Sequence, residues 1–457
     1  MASPHQTHPI DSRSTDQLAA HSLQLRLVDT FDVAAHGNWL QADARGFHAA
    51  LPHDDDLAQL ASAVADRRTT GVFDATAKQP DTPVATVSSW PAELTVSPGR
   101  TVSTWAISSV TVAPTHRRRG IARALIEGEL RTAAAMGHPL AALTVSESTI
   151  YERFGFGAAA FGTNWTIDTR RTGWAGRSAS GRLHFVIAAQ TRDELCAVFD
   201  RARLHVPGEL QVWDGLWDTV LGLAPDLLDS ESRSAAERGR SLRVVRYDDE
   251  SGVAQGFAIY SVSGGDSDFS AHQVDLQYLL AASDDAYSAL WRFIIEMDLV
   301  TLVKATLLSV DEPLAWQLSD PRAATVTRDS HLWLRILDVV AALEARQFGT
   351  AQFGAAPLST AVTVGLEVSD PLDFTTGRYL LEVDELGAGK ASRINELPTH
   401  AAALTLGITE LSSIYLGGVS AATLVRAGRV TEHRAGDAIA VDQLFRASRA
   451  PRLSVWF

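Results

Sequence analysis

Val110-Thr111-Val112-Ala113-Pro114-Thr115-His116-Arg117-Arg118-Arg119-Gly120-Ile121-Ala122-Arg123 is the stretch on which the reading of this chain turns. It closes TVSTWAISSVTVAP (101–114), a run rich in Val, Ile, Thr and Trp that reads as a strand ended by Pro114. It opens IARALIEGELRTAAAMG (121–137). There Ala122, Leu125, Ile126 and Leu130 share one helical face, and Gly137 suits a C-cap. Arg117, Gly120 and Ala122 fill the fixed places of Arg-x-x-Gly-x-Ala at the junction. The first amides of a helix have no intrahelical acceptor and lie at the positive end of its dipole. Gly120 and Ala122 keep side chains clear of those amides, and Arg117, Arg118 and Arg119 add forked positive charge, so a diphosphate fits there. The Lys-Ser/Thr pair of a nucleotide P-loop and the G-x-G-x-x-G of a dinucleotide site are both missing from it.

Outward from this centre the pattern is α+β. Leu23, Leu25 and Leu27 alternate as in a strand, Trp39, Leu40 and Phe47 keep helical spacing, and LAQLASAVADRR (57–68) reads as an amphipathic helix. Residues 70–73 and 84–89 read as strands, as does PLAALTV (139–145), and SESTIYERFGFG (146–157) reads as a short helix ending at glycines. RTGWAGRSASGR (171–182) is a connector. Beyond it come strands at 242–248, 253–262 and 302–310, a helix at 284–298, and an apolar strand flowing into a helix over 331–347. Strands at 360–368 and 377–383 and helices at 408–417 and 420–428 complete the pattern.

The chain has 457 residues, which predicts two to four domains, and its composition of 46% apolar and 21% charged residues is that of a globular protein. Cys196 is the one cysteine, so neither an internal disulfide nor a thiolate metal cluster is expected, and no metal is assigned. A net charge of −14 argues against a nucleic-acid partner; an acidic surface gathers cations, and it equally serves solubility. No apolar run reaches the roughly 18 residues of a membrane span. The polar start, MASPHQTHPIDSRSTDQ, lacks the apolar core of a signal peptide and reads as a disordered tail over 1–22. A cytoplasmic location is therefore expected.

Val110 to Ala122 resembles the acetyl-coenzyme A site of the GNAT superfamily. Ser146-Glu147-x-x-Ile150-Tyr151-x-Arg153-Phe154-Gly155-Phe156-Gly157 resembles, more narrowly, the signature of the enhanced intracellular survival family of N-acetyltransferases. His331-Leu332-Trp333-Leu334-Arg335-Ile336, Ala341 to Arg346, Tyr415-Leu416-Gly417 and an aromatic last residue fit the same family. The resemblance covers nearly the whole chain beyond the polar start. It implies tandem GNAT-like acetyltransferase folds followed by a sterol-carrier-protein-like α+β domain, divided here as 23–168, 169–345 and 346–457. It further implies a homohexamer that acetylates aminoglycosides and other small-molecule amines.

The resemblance also supplies roles. Val110, Thr111 and Val112 would offer backbone to the pantetheine arm. The segment Arg117, Arg118, Arg119, Gly120, Ile121, Ala122 and Arg123 would hold the pyrophosphate, and Ser146 and Glu147 would help to place the cofactor. Glu147 also reads as a carboxylate favoured at a helix start. By position Tyr151 serves equally as proton donor to the departing thiolate or as packing anchor; the family makes it the general acid. The family's base is the last carboxylate, here that of Phe457, and the apolar ending SVWF favours its burial. Trp39 and Phe47 are candidates for the substrate cavity wall, and aromatics at this spacing also build cores. Trp456 stands where some members carry an acidic residue that touches polycationic substrates, which argues against a strong aminoglycoside preference. Region 169–345 shows no Arg-x-x-Gly-x-Ala, so no cofactor is expected there. The alternatives are transfer of another acyl group, and a non-catalytic sensor or lipid-binding protein that retains the fold.

Overall fold

A computed structural model describes residues 3–52, 54–146, 148–225, 235–265, 268–349 and 362–457. The chain forms two compact units. The first comprises Met1–Ala160, Val206–Gln211 and Ser330–Phe457; the second comprises Phe161–His205 and Val212–Asp329.

The first unit begins with β1 (Gln24–Leu27), β2 (Arg68–Phe73), β3 (Ala85–Ser97), β4 (Arg100–Val112) and β5 (Leu140–Thr144), hydrogen-bonded in that order. All neighbours are antiparallel except β4 and β5, which run parallel and are joined through the helix Ile121–Ala135. That helix buries Ile121, Leu125, Ile126 and Leu130 against a cluster containing Trp105, Leu143, Phe154 and Phe156.

In the second unit β6 (Gly157–Asp168) leads to β7 (Arg182–Val186), β8 (Leu242–Asp248), β9 (Ala254–Gly264), β10 (His272–Ala281) and β11 (Val300–Leu308), ordered β6-β11-β10-β9-β8-β7. Here too one pair is parallel, β10 with β11, and the helix Asp284–Ile295 joins it. Its own core gathers Trp165, Tyr247, Trp291 and Val303.

The chain returns to the first unit with β12 (Ala324–Ile336), whose Leu332–Ile336 stretch pairs antiparallel with all of β5. A separate five-stranded sheet follows: β13 (Val362–Ser369), β14 (Gly377–Val383), β15 (Gly389–Ile394), β16 (Ala402–Gly407) and β17 (Val430–Glu432), ordered β15-β14-β13-β16-β17. Buried Arg335 fastens this part to the first, pairing with both oxygens of Asp370 at 2.7 and 2.8 Å while its Nε donates to the Phe154 carbonyl at 2.7 Å.

Three expectations are corrected. Within the expected tail 1–22, the described residues 3–22 are not disordered: Pro4–Thr7 and Ser12–Ala19 are helical. Leu18 is fully buried, the Ser14 hydroxyl donates to the Ala124 carbonyl at 2.6 Å, and Asp11 takes two hydrogen bonds from Arg131. The segment is polar because its polar groups pair with the rest of the unit, as when Arg68 donates to the carbonyls of His5, His8 and Pro9. The helix expected at 57–68 runs from Asp54 to Ala63, because Arg68 already belongs to β2. The stretch 146–157 is not one helix but two 3₁₀ turns, Ser148–Ile150 and Glu152–Phe154, stopped by Gly155 at φ 84°. A Cβ on Gly155 would lie 2.6 Å from the Arg335 Nε, so the Phe-Gly-Phe-Gly run is shaped by what packs on it. Among the described residues no helix is long and apolar enough to cross a membrane.

Candidate active site

The parallel ladder between β4 and β5 lasts for three pairs, Thr104 with Leu140, Trp105 with Ala141 and Ala106 with Ala142. Beyond Ala106 the strands part, and β4 continues to Val112 held by β3 alone. The register with β3 slips between Thr86 and Ser88, where β4 carries one extra residue and Ser109 sits at φ 55°. A bulge of this kind bends its strand and releases backbone from the ladder. The side chain of Thr111 is tied to the Thr86 hydroxyl at 2.6 Å, so anything Thr111 gives to a ligand comes from its main chain.

Past Pro114 the chain makes a 3₁₀ turn, Pro114–His116, and then the helix. Arg118 (φ 62°) and Gly120 (φ 75°) are both left-handed. Such a conformation strains a non-glycine residue by about 1–3 kcal/mol and recurs at ligand clamps. Gly120 is the N-cap of Ile121–Ala135 and brings no side chain to cap it, which leaves the opening amides to an outside acceptor. Arg117 and Arg118 are exposed. Arg119 is engaged, donating to the His21 carbonyl at 2.8 Å, and Arg123 pairs with Glu127 at 2.9 Å. Ile121 is buried in the core and Ala122 is half-buried. A concave backbone, an uncapped helix start and two unburied guanidinium groups suit the diphosphate of a coenzyme A thioester, and the parted strands suit its extended arm.

The second unit has the same parallel strand–helix–strand core and a bulge in β10 between Leu276 and Tyr278. Its helix starts differently. The Ser283 hydroxyl caps the Ala286 amide at 3.2 Å, and Asp284 and Asp285 occupy the first turn. Two carboxylates and a filled cap give this helix start the opposite electrostatic character from the uncapped, arginine-flanked start in the first unit.

Tyr151, Val110 and Val112 are each partly buried against the core cluster that includes Ile121, Leu143, Val145 and Phe156, with Tyr151 edge-on to Phe156 at 6.1 Å. Ser146 is an exposed bend, and Glu147 lies outside the described residues. Phe457 is brought to the end of β5, where its main-chain oxygen accepts from the Thr144 hydroxyl at 2.8 Å. Its ring meets Trp90 edge-on at 5.7 Å, and the Arg67 guanidinium lies 3.9 Å over the Trp90 ring. Trp456 is 45% exposed. Trp39 is 2% exposed and its indole N–H donates to the Thr70 carbonyl at 2.9 Å. Phe47 is 43% exposed and follows Gly46, whose backbone lies so close to the Thr111 side chain that a Cβ would overlap it.

Three residues here had no role in the sequence reading, although His331 opens one of the family motifs. Thr144 contacts the terminal oxygen and carries no motif. His331 is buried with Nε2 2.8 Å from the Val455 carbonyl, and burial pushes its pKa down to about 4. Asp43, on the helix Val33–Gly46, is buried beneath the bulge, 3.2 Å from the Ser109 hydroxyl and 3.4 Å from that of Thr86. Its burial raises the carboxyl to about 7. A charged residue in helical register with Trp39 and Leu40 was the signal for Asp43.

Family models match three successive stretches of the chain. The acetyltransferase (GNAT) domain family matches residues 31–159, a second acetyltransferase (GNAT) domain family matches 209–336, and the sterol carrier protein domain family matches 339–454. An uncharacterized N-acetyltransferase of Streptomyces griseus is 34% identical over 433 residues, covering 93% of this chain and 98% of the relative. The N-acetyltransferase Eis of Mycobacterium tuberculosis is 36% identical over 341 residues, 73% of this chain and 76% of the relative. The crystal structure of Eis1 from Mycobacterium abscessus superposes with a TM-score of 0.75 at 27% identity, covering 95% of this chain and 100% of that one.

Proposed function

The chain belongs to the enhanced intracellular survival (Eis) family of tandem-GNAT N-acetyltransferases, and on that premise we propose that it moves an acetyl group from acetyl-coenzyme A to a primary amine of a small molecule. The transferase activity and an acyl-coenzyme A donor follow from the family. The finer reading rests on one observation: the last main-chain oxygen of the sequence lies at the end of β5, beside the gap that opens between β4 and β5.

In this reading the turn Arg117–Arg123 takes the diphosphate, with its backbone and the exposed Arg117 and Arg118 as ligands. Val110 and Val112 offer main-chain groups to the pantetheine arm. The Phe457 carboxylate accepts a proton from the ammonium, directly or through water. The freed amine attacks the thioester carbonyl, the carbon–sulfur bond breaks, and the Tyr151 hydroxyl gives its proton to the departing thiolate; the second proton, lost by the nitrogen as it becomes an amide, passes through solvent to restore the Tyr151 hydroxyl. Phe47 and Trp456 border the acceptor. We assign no donor to region 169–345, where Asp284 and Asp285 stand at the corresponding helix start.

The homohexamer expected from the family and the cytoplasmic location expected from the sequence belong to this reading, and sedimentation of the purified chain tests the former. Aminoglycosides are one acceptor class within it. Thiol release from acetyl-coenzyme A, measured across aminoglycosides, polyamines and simple primary amines, decides the acceptor. Release with none of them, together with no heat of acetyl-coenzyme A binding, overturns the proposal.

A further inference from the structure

The last residues are held at separate points, each within the first unit. The Ser454 N–H and hydroxyl donate to Glu209 Oε2 at 3.2 and 2.9 Å. The Val455 carbonyl lies 2.8 Å from His331 Nε2, and Trp456 meets the His331 ring edge-on at 4.4 Å. The Phe457 ring rests on Trp90, and its terminal oxygen takes the Thr144 hydroxyl. Chain ends ordinarily fray unless they are tied down. This one is tied at every residue from 454 onward, and the tie nearest its carboxylate is the final residue of β5.

The chemistry of the two contacts is specific. A carbonyl only accepts, so His331 must carry its proton on Nε2, and Nδ1 is then a bare acceptor; it is buried and has no partner among the described residues. A second proton on Nδ1 would find no acceptor in that buried site, so the ring works as a neutral donor. Thr144 supplies one hydroxyl hydrogen to a carboxylate that has about four lone-pair positions, which leaves the rest free. We propose that Thr144 and His331 are positioning residues of acetyl transfer: His331 fixes the main chain at Val455, and the Thr144 hydroxyl turns the Phe457 carboxylate so that its free lone pairs face the gap between β4 and β5. The inference rests on the terminal carboxylate being the base and adds what holds it in place. No bond is made or broken at either residue.

A double-mutant cycle tests it, read by thiol release. The chains are the native protein, Thr144→Val, a chain with one glycine added after Phe457 to displace the carboxylate, and the combination. Thr144→Val is isosteric, so folding is preserved. In the native background it should lower kcat roughly tenfold with KM for acetyl-coenzyme A within about twofold, and Thr144→Ser should restore most of the loss. In the extended chain Thr144→Val should cost less than about twofold, because its partner has moved. The same loss in both backgrounds, or none in the native one, overturns the role of Thr144. An extended chain with native turnover overturns the terminal base itself, which is a different failure. His331→Leu should show the same dependence on the terminus, and His331→Gln, which keeps an N–H donor, should recover activity; equal loss in Leu and Gln overturns the latch. The terminal carboxyl carbon, read by ¹³C NMR in chains grown on carboxyl-labelled phenylalanine, should titrate higher in Thr144→Val by roughly half a unit to one unit. An unmoved titration overturns the contact with no reference to activity.

Discussion

Asp43→Asn tests whether the bulge of β4 rests on a protonated acid. The Asp43 carboxyl is buried beneath Ser109. Burial raises its pKa from 3.8 to about 7, outweighing the Ser109 hydroxyl, the Arg67 charge and the Thr86 hydroxyl, all of which pull it down. The unfolded chain therefore releases this proton near pH 3.8 and the folded chain only near pH 7. Asp43 thus subtracts stability as pH rises through that window. An asparagine does not titrate, so its advantage over the native residue must grow with pH. From pH 5 to pH 8 about two units of differential titration are crossed, which at about 1.4 kcal/mol each widens the gap by about 3 kcal/mol. Any constant cost of the amide in the site cancels in that difference. Equilibrium guanidinium unfolding of both proteins at the two pH values, followed by tryptophan fluorescence, measures it. A gap that stays constant within about 0.5 kcal/mol refutes the argument, since it would mean that the carboxyl titrates alike in both states.

Gly120→Asp forces a side chain into a φ of 75° and sets a carboxylate at the helix start, so calorimetry should detect no acetyl-coenzyme A binding; native affinity would show that the turn is not the cradle. Tyr151→Phe keeps the ring and removes the proton, and kcat should fall about 10²–10³-fold with donor affinity intact; native turnover removes Tyr151 from the chemistry. Asp370→Asn leaves Arg335 without its carboxylate in a fully buried site and should destabilise the first unit by about 3–5 kcal/mol in denaturant unfolding, where a loss under about 1 kcal/mol contradicts the clamp. Leu18→Ala, at a residue with no exposed surface, should cost about 2–5 kcal/mol and raise hydrogen exchange over Ser12–Ala19, whereas unchanged exchange would mean that this helix is not docked.

The strand and helix around Arg117–Arg123 were legible because both carry strong local signals, β-branched residues on one side of Pro114 and a 3.6-residue period on the other. The same held for Asp284–Ile295 and for β12 running into Val339–Ala345. What escaped was set by partners distant in sequence. The helix Ser12–Ala19 shows one buried apolar residue, and its hydrogen bonds reach Ala124 and Arg131, which no local window contains. The hairpin of β3 and β4 carries Pro91 in mid-strand, a residue that argues against a strand when read alone. Thr144 is an ordinary strand threonine until residue 457 arrives beside it. The family motifs were recognised as a signature, and the structure gives several of them a mechanical reason. Arg335 braces the turn after Tyr151, and Arg346 donates to the Tyr415 and Phe445 carbonyls, while the Tyr415 hydroxyl returns a bond to Ala342 at 2.7 Å.

The pairing of β5 with β12 has a consequence for how the protein is made. Arg335 and the Phe154 carbonyl it grips are 181 residues apart, and Thr144 and Phe457 are 313 apart. A ribosome adding roughly 5–20 residues per second exposes the edge of β5 for several seconds or longer before its neighbour emerges. During that interval an apolar strand edge is open to other nascent chains, so chaperone capture and slow expression at low temperature should favour yield. The contact between Thr144 and Phe457 forms later still, whatever the speed at which the opening strands collapse.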